Sequence, residues 1–162
     1  MVLLGDVPLL SEFTISKLQE EIKKNDIVVL TGTVDNPSGY GRICKDSDGK
    51  PSAIIEELDC DDEQRKIKEI NSGIMAFKTN VAANLVGKIK PNPKKNEYYL
   101  TDAIEIAYHE GIQASTYLTS EEEVFADVCE HRQRKGLPRF LMNNVIFSFR
   151  SYVDDVTWKC PS

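Results

Sequence analysis

Short runs of consecutive apolar residues alternate along this chain with stretches whose apolar positions recur at helical spacing. Val2-Leu3-Leu4 is a continuous apolar run ending in Gly5-Asp6, the pattern of a strand buried on both faces. Ser11 then stands where it can cap a helix that presents Ile15, Leu18 and Ile22 on one face. Ile27 to Leu30 reads as a second buried strand, and strand, helix, strand predicts a crossover unit with parallel pairing. Arg42 to Lys45 and Ser52 to Glu56 predict a hairpin around Asp46-Ser-Asp-Gly49. Asp61-Asp62-Glu63 is suited to start a short helix, and Ile70 to Phe77 returns to strand character. Thr79 is placed to cap a helix running to Ile89. Thr101-Asp102 begins another, with Ile104, Ala107 and Tyr108 on one side and Gly111 just past its end. Ile112 to Leu118 predicts a strand, Glu121 to Arg134 a helix, and Val145 to Phe147 a last strand. This alternation predicts an α/β domain, a mostly parallel mixed sheet flanked by helices.

Composition narrows the class without changing it. With 162 residues, 41% hydrophobic and 28% charged, the chain has room for one packed core. No apolar run approaches the ~18 residues that span a bilayer. The opening Met-Val-Leu-Leu lacks both the length and the basic lead of a signal peptide, so a cytoplasmic location and no membrane partner are expected. A net charge of −6 argues against a nucleic-acid surface. Cys44, Cys60, Cys129 and Cys160 are scattered, and with only His109 and His131 they give no zinc spacing; four reduced thiols are expected.

Ligands of open α/β sheets bind outside the carboxyl ends of the strands, which is where Asp6 falls. A carboxylate there can hold Mg²⁺ against a phosphate, or it can be a solvated turn residue. Gly39-Tyr40-Gly41 permits close approach of backbone to a ligand, or simply a tight connection. Glu56 ends one β-rich stretch and Asn71 begins another, so both can face one sheet edge or the solvent.

Taken together, Gly5-Asp6-Val-Pro-Leu9, Asn36-Pro-Ser-Gly-Tyr-Gly-Arg-Ile43, Ile55-Glu56, Glu69-Ile-Asn-Ser-Gly73 and Glu97-Tyr-Tyr-Leu-Thr-Asp102 occur in an order and spacing that say more than any one of them. From about residue 3 to 118 the chain resembles the uridylyltransferase (pyrophosphorylase) domain of bacterial bifunctional N-acetylglucosamine-1-phosphate uridyltransferase/glucosamine-1-phosphate acetyltransferase. The resemblance implies a Rossmann-like nucleotide-diphospho-sugar transferase fold. It also implies a reaction in which the sugar-1-phosphate attacks the α-phosphate of UTP, dependent on positioning and charge neutralisation. By resemblance, Asp6 is the metal-holding catalytic aspartate, with Mg²⁺ as cofactor. Gly41, Glu56 and Asn71 match residues that contact the N-acetylglucosamine group, and Tyr99 and Thr101 match the neighbouring sugar-phosphate wall. The implied ligands are N-acetylglucosamine-1-phosphate or UDP-N-acetylglucosamine.

The sequence also departs from that family. The Gly-rich triphosphate loop and the first strands have no counterpart in it. Residues 119–162 are degenerate relative to the family, and no β-helix acetyltransferase repeat is seen. Asp127 lies near the position of a second metal ligand without matching it. Lys95-Asn96 stands where the family has Gln-Gly, and Asn is the next best residue for a left-handed turn. The expectation is a sugar-binding half, residues 1–118, inactive unless complemented by a nucleotide-binding segment, with self-association or a complementing chain covering the strand at Val2 to Leu4. The alternatives are a non-catalytic sugar-phosphate-binding or interaction module, or a decayed gene product.

Overall fold

A computed structural model describes residues 1–3, 10–93 and 96–120. Its elements in chain order are helix α1 (Glu12–Glu21), strands β1 (Ile27–Thr33), β2 (Arg42–Lys45), β3 (Pro51–Ile55) and β4 (Glu69–Phe77), helices α2 (Thr79–Val86) and α3 (Asp102–His109), and strand β5 (Ala114–Leu118). Single 3₁₀ turns at Glu57–Asp59 and Gln64–Lys66 lie between β3 and β4.

The sheet runs in the order β3-β2-β4-β1-β5. β1 is its hinge-pin because its side chains alternate between two cores. Ile27 and Val29 join Ile43, Ile54, Met75, Leu85 and Ile104 beneath α2 and α3. Val28 and Leu30 join Leu18, Ile74 and Ala76 beneath α1. Four consecutive apolar positions, Ile27 to Leu30, need a helix layer on each face, and this strand has both.

The α/β layout is as expected, with a different balance of strand directions. β1 and β5 pair in parallel, whereas β1·β4, β2·β4 and β2·β3 are antiparallel. The expected parallel pairing of the Val2 run with β1 is corrected. Val2 forms an antiparallel bridge to Met75 of β4, donating its amide at 2.7 Å and accepting one at 3.2 Å. Met75 is also paired to Val29, so β4 sits between the two apolar runs and the crossover skips a strand. Local apolar runs specify strands and leave the choice of neighbour to long-range packing.

Local rules hold where side chains act on adjacent backbone. Ser11 caps α1, accepting the Thr14 amide at 3.1 Å. Asp46 organises the hairpin by accepting the amides of Asp48 and Lys50. α3 closes with a Schellman pattern, Gly111 N–H to Tyr108 and Ile112 N–H to Ala107, with Gly111 at φ 69°. Two helix predictions shift. Lys78, held to Asp26 through both its backbone and its ammonium, takes the cap position expected of Thr79, and α2 stops at Val86 before Gly87 rather than at Ile89. Asp61 accepts the amides of Glu63 and Gln64, and only the 3₁₀ turn Gln64–Lys66 follows. The helix expected at 121–134, the strand at 145–147 and Asp127 lie outside the described residues.

Asn96 adopts φ 55°, the left-handed backbone anticipated for the residue replacing Gly. Its amide meets the Asn92 carbonyl at 2.7 Å, and Asn92 in turn donates to Glu97 at 2.8 Å, closing the turn ahead of Tyr98-Tyr99. Asn96→Ala is expected to lower stability by about 1 kcal/mol, with Asn96→Gly neutral or better, because a β-carbon strains that backbone. Thermal melts of the two variants check this, and equal melting of Ala and Gly variants would refute it.

Candidate functional site

Three of the predicted residues meet directly. Gly41 precedes β2, Glu56 follows β3, and hairpin register brings the two ends together, with Arg42 opposite Ile55. A β-carbon built on Gly41 would lie 3.5 Å from each Glu56 carboxylate oxygen and 3.2 Å from Ile54 Cγ2. Such a carbon would crowd Ile54 and touch the carboxylate only at ordinary contact distance. Thr101 fixes one of those oxygens from the other side, its Oγ1 donating to Glu56 Oε1 at 3.2 Å. Thr101 occupies the N-cap of α3 yet makes no side-chain cap hydrogen bond, because its hydroxyl is turned to Glu56 instead.

Asn71 reaches this group through the backbone, its amide donating to the Gly41 carbonyl at 2.8 Å. Its position depends on an irregularity in β4. Val29 pairs with Met75 and Thr31 with Asn71, so β4 spends two more residues than β1 over the same span. The excess is Ser72 and Gly73. Ser72 Oγ donates to the Leu30 carbonyl at 2.7 Å and accepts the Ile74 amide, while Asn71 Oδ1 accepts the Gly73 amide at 3.0 Å. Gly73 sits at φ 79°. The Asn-Ser-Gly triplet thus satisfies the polar groups that its own bulge frees from the ladder.

Tyr99 lies on the adjoining segment. Its hydroxyl donates to Glu97 Oε2 at 3.2 Å, and its carbonyl accepts the Asp102 amide that starts α3. Asp6 falls outside the described residues, so its expected role has no geometry here. The site so formed is a partly buried carboxylate with one oxygen held by a hydroxyl, lying against the buried backbone of Gly41. An ionised carboxylate accepts several hydrogen bonds, so Glu56 keeps capacity for hydroxyl or amide donors of a ligand. The apolar hollow between Phe77, Leu85 and Leu100 contains none of the predicted site residues.

Sequence reasoning gave no role to Arg42 and Glu57. Arg42 is 1% exposed, its guanidinium donating to the Tyr40 carbonyl and to Glu57 Oε2. The same carboxylate oxygen accepts the Gly39 amide at 3.3 Å. The Arg42 guanidinium, helped by the Gly39 amide, holds the Glu57 carboxyl below the usual carboxylate range despite partial desolvation. A signal was available, since a hairpin pairing Arg42 with the residue before Glu56 leaves Glu57 within an arginine's reach. Asp102, next to Thr101, is pushed upward by burial, with the charges of Glu105 and Asp59 adding to the effect. Cys44 and Cys60 are free thiols and burial raises both, which suits inert structural roles; Cys129 and Cys160 lie outside the described residues.

Among the described residues, no group of three or more His, Cys, Asp and Glu could hold a metal ion. Among them, too, no helix is long and apolar enough to cross a membrane.

No family model matches the chain. Curated proteins do. The chain is 36% identical over all 162 of its residues to the bifunctional protein GlmU of Burkholderia lata, covering 35% of that protein. It is 37% identical over 143 residues to GlmU of Marinomonas sp., covering 88% of this chain and 32% of the relative. The chain is homologous to part of the GlmU proteins. It spans about a third of the length of these GlmU relatives. Among solved structures, apo UDP-glucose pyrophosphorylase superposes with a TM-score of 0.52 at 16% identity, over 74% of this chain and 47% of that one. At that identity the likeness speaks for the fold alone, and it is the nucleotidyltransferase-like α/β fold expected from the GlmU resemblance.

Proposed function

We propose that residues 1–118 form the sugar-phosphate side of a GlmU-type uridylyltransferase site, taking N-acetylglucosamine-1-phosphate or UDP-N-acetylglucosamine. The observation that carries this is the Glu56 carboxylate laid against Gly41 and fixed by Thr101. A site built to pair sugar hydroxyl and amide groups rejects analogues lacking them, because its own polar groups are then left unsatisfied. Asn71 is tied beside Gly41, whose carbonyl accepts its backbone amide, and Tyr99 borders the same helix start.

Asp6 is the proposed holder of Mg²⁺. Magnesium usually takes one or two carboxylates together with substrate phosphates, so it needs no cage of several protein ligands. When bound it would neutralise charge on the phosphates. The protein's own part is to orient the sugar phosphate through Glu56, Asn71 and Thr101. We propose further that these residues alone bind without transferring uridylate, since Arg42 is committed to Tyr40 and Glu57 rather than free to meet a triphosphate. A complementing chain or a second copy is the proposed partner, with Val2, 37% exposed beside β4, as the apolar position it would cover.

Calorimetry tests the assignment. The chain is expected to bind N-acetylglucosamine-1-phosphate more tightly than UTP, and Asn71→Ala to weaken the sugar phosphate roughly tenfold, the loss of one or two hydrogen bonds. Tighter binding of UTP alone would overturn the assignment.

A further inference from the structure

Beside Glu56, Gly41 and Thr101 lies the ion pair of Arg42, buried, and Glu57, partly buried. From its geometry we infer that Arg42 and Glu57 are positioning residues that hold the Gly39-Tyr40-Gly41 backbone at a fixed distance from the Glu56 carboxylate. The inference rests on the sugar-phosphate reading of that site and adds to it the device that keeps the site open to a sugar.

Glu57 Oε2 receives both the Gly39 amide and the Arg42 guanidinium, and Arg42 also donates to the Tyr40 carbonyl. Residues on both sides of Gly41 are thereby tied to one carboxylate. The Gly41 carbonyl is meanwhile tied to the Asn71 amide. That carboxylate belongs to the residue immediately after Glu56, at the first position of the 3₁₀ turn Glu57–Asp59. Glu56 itself is the extended cap residue of that turn, at φ −66° and ψ 148°, and its side chain makes no cap hydrogen bond. Its carboxylate is therefore free to lie against Gly41 and Thr101, while its neighbour faces the loop.

Only about 3.5 Å separates the carboxylate oxygens from where a Gly41 β-carbon would be, an ordinary van der Waals distance. A shift of the loop by an ångström would close the space or part the two groups. A salt bridge between a buried guanidinium and a partly buried carboxylate is a weak source of stability, since its desolvation cost offsets most of its attraction. It does provide direction, because a guanidinium's planar fork can be satisfied only along fixed lines. Arg42 Nε is buried without a hydrogen-bond partner, so the arrangement is not the one that best satisfies this arginine.

Positioning and plain structural support separate in a double replacement. Glu57→Gln leaves the buried guanidinium without its counter-charge, and should both lower the melting temperature and weaken N-acetylglucosamine-1-phosphate roughly tenfold, the loss of about one hydrogen bond to a misplaced carboxylate. Arg42→Met with Glu57→Leu removes both charges and, by the behaviour of buried pairs replaced by apolar residues, should recover the melting temperature. The affinity should not recover with it. Return of affinity together with stability would overturn the inference. Amide hydrogen exchange supplies a ligand-free readout: in Glu57→Gln the Gly39 and Asn71 amides should exchange at least about tenfold faster, a loss of local protection. Unchanged rates there would overturn the inference. If the unmodified chain binds no sugar phosphate while these amides do respond, the sugar-phosphate reading fails and the bracket itself stands.

Discussion

Gly41→Val is expected to abolish measurable binding of N-acetylglucosamine-1-phosphate while leaving the chain folded. The first atom of any side chain at this position meets Ile54 Cγ2 at 3.2 Å, closer than ordinary contact, and both Glu56 oxygens at 3.5 Å. Ile54 is 4% exposed and packed among Ile43, Met75 and Ala103, so it has little room to retreat. Glu56 is the mobile partner, and pushing it aside breaks its bond from Thr101 and covers its oxygens with methyl groups. Forcing extra carbon into a packed site costs typically 1–3 kcal/mol of stability, which a domain of this size can survive. A ligand deprived of its main acceptor loses more. Gly41→Ala should lie between the two, with affinity down roughly tenfold, the equivalent of one lost charge-assisted hydrogen bond. Calorimetry and thermal melts on both variants decide it. Full-strength binding by Gly41→Val would show that the sugar phosphate does not reach Glu56 past this backbone.

The second large effect concerns stability. Leu18→Ala is expected to cost about 3 kcal/mol, within the range for deleting a buried leucine, and to lower the melting temperature by roughly 6–12 °C. Leu18 is wholly buried and packs with Val28, Leu30, Ile74 and Ala76. On α1 only Thr14 and Leu18 are buried, so one leucine supplies most of the helix's apolar anchorage to the sheet. Phe13, on the same helix, is 64% exposed, and Phe13→Ala should change stability by less than about 0.5 kcal/mol. Comparable melting of the two variants would mean that α1 is docked by something other than this core.

These residues also show what the sequence makes visible. Leu18 and the cap at Ser11 were legible because a helix writes its period and its first hydrogen bond into adjacent positions. Asn96 was legible for a similar reason, since its backbone angle depends on its own side chain. Strand neighbours were not: nothing in Val2-Leu3-Leu4 distinguishes pairing with β1 from pairing with β4, and the choice is made by contacts far apart in sequence. The site divides along the same line. Gly41, Glu56 and Thr101 were named from ordered motifs, and the fold brings them into contact. Arg42 was part of a quoted motif yet without a role, because a buried arginine reads as a surface one until its partner's position is known. Asp6, outside the described residues, is a proposal that still rests on resemblance.

The bulge in β4 has a consequence for how this chain can vary in length. Side chains on a strand alternate faces with a period of two, and the bulge adds an even number of residues, Ser72 and Gly73. Deleting both should leave Val29 and Met75 on one side and Leu30 and Ile74 on the other, a continuous ladder with two intact cores in which Asn71 keeps Thr31 as its partner and loses only the Gly73 amide. Deleting either one alone would turn one half of β4 over relative to the other, aiming polar groups at a core and apolar ones away from it. Length changes at this point should therefore be tolerated in pairs and rejected singly, whatever the residues concerned.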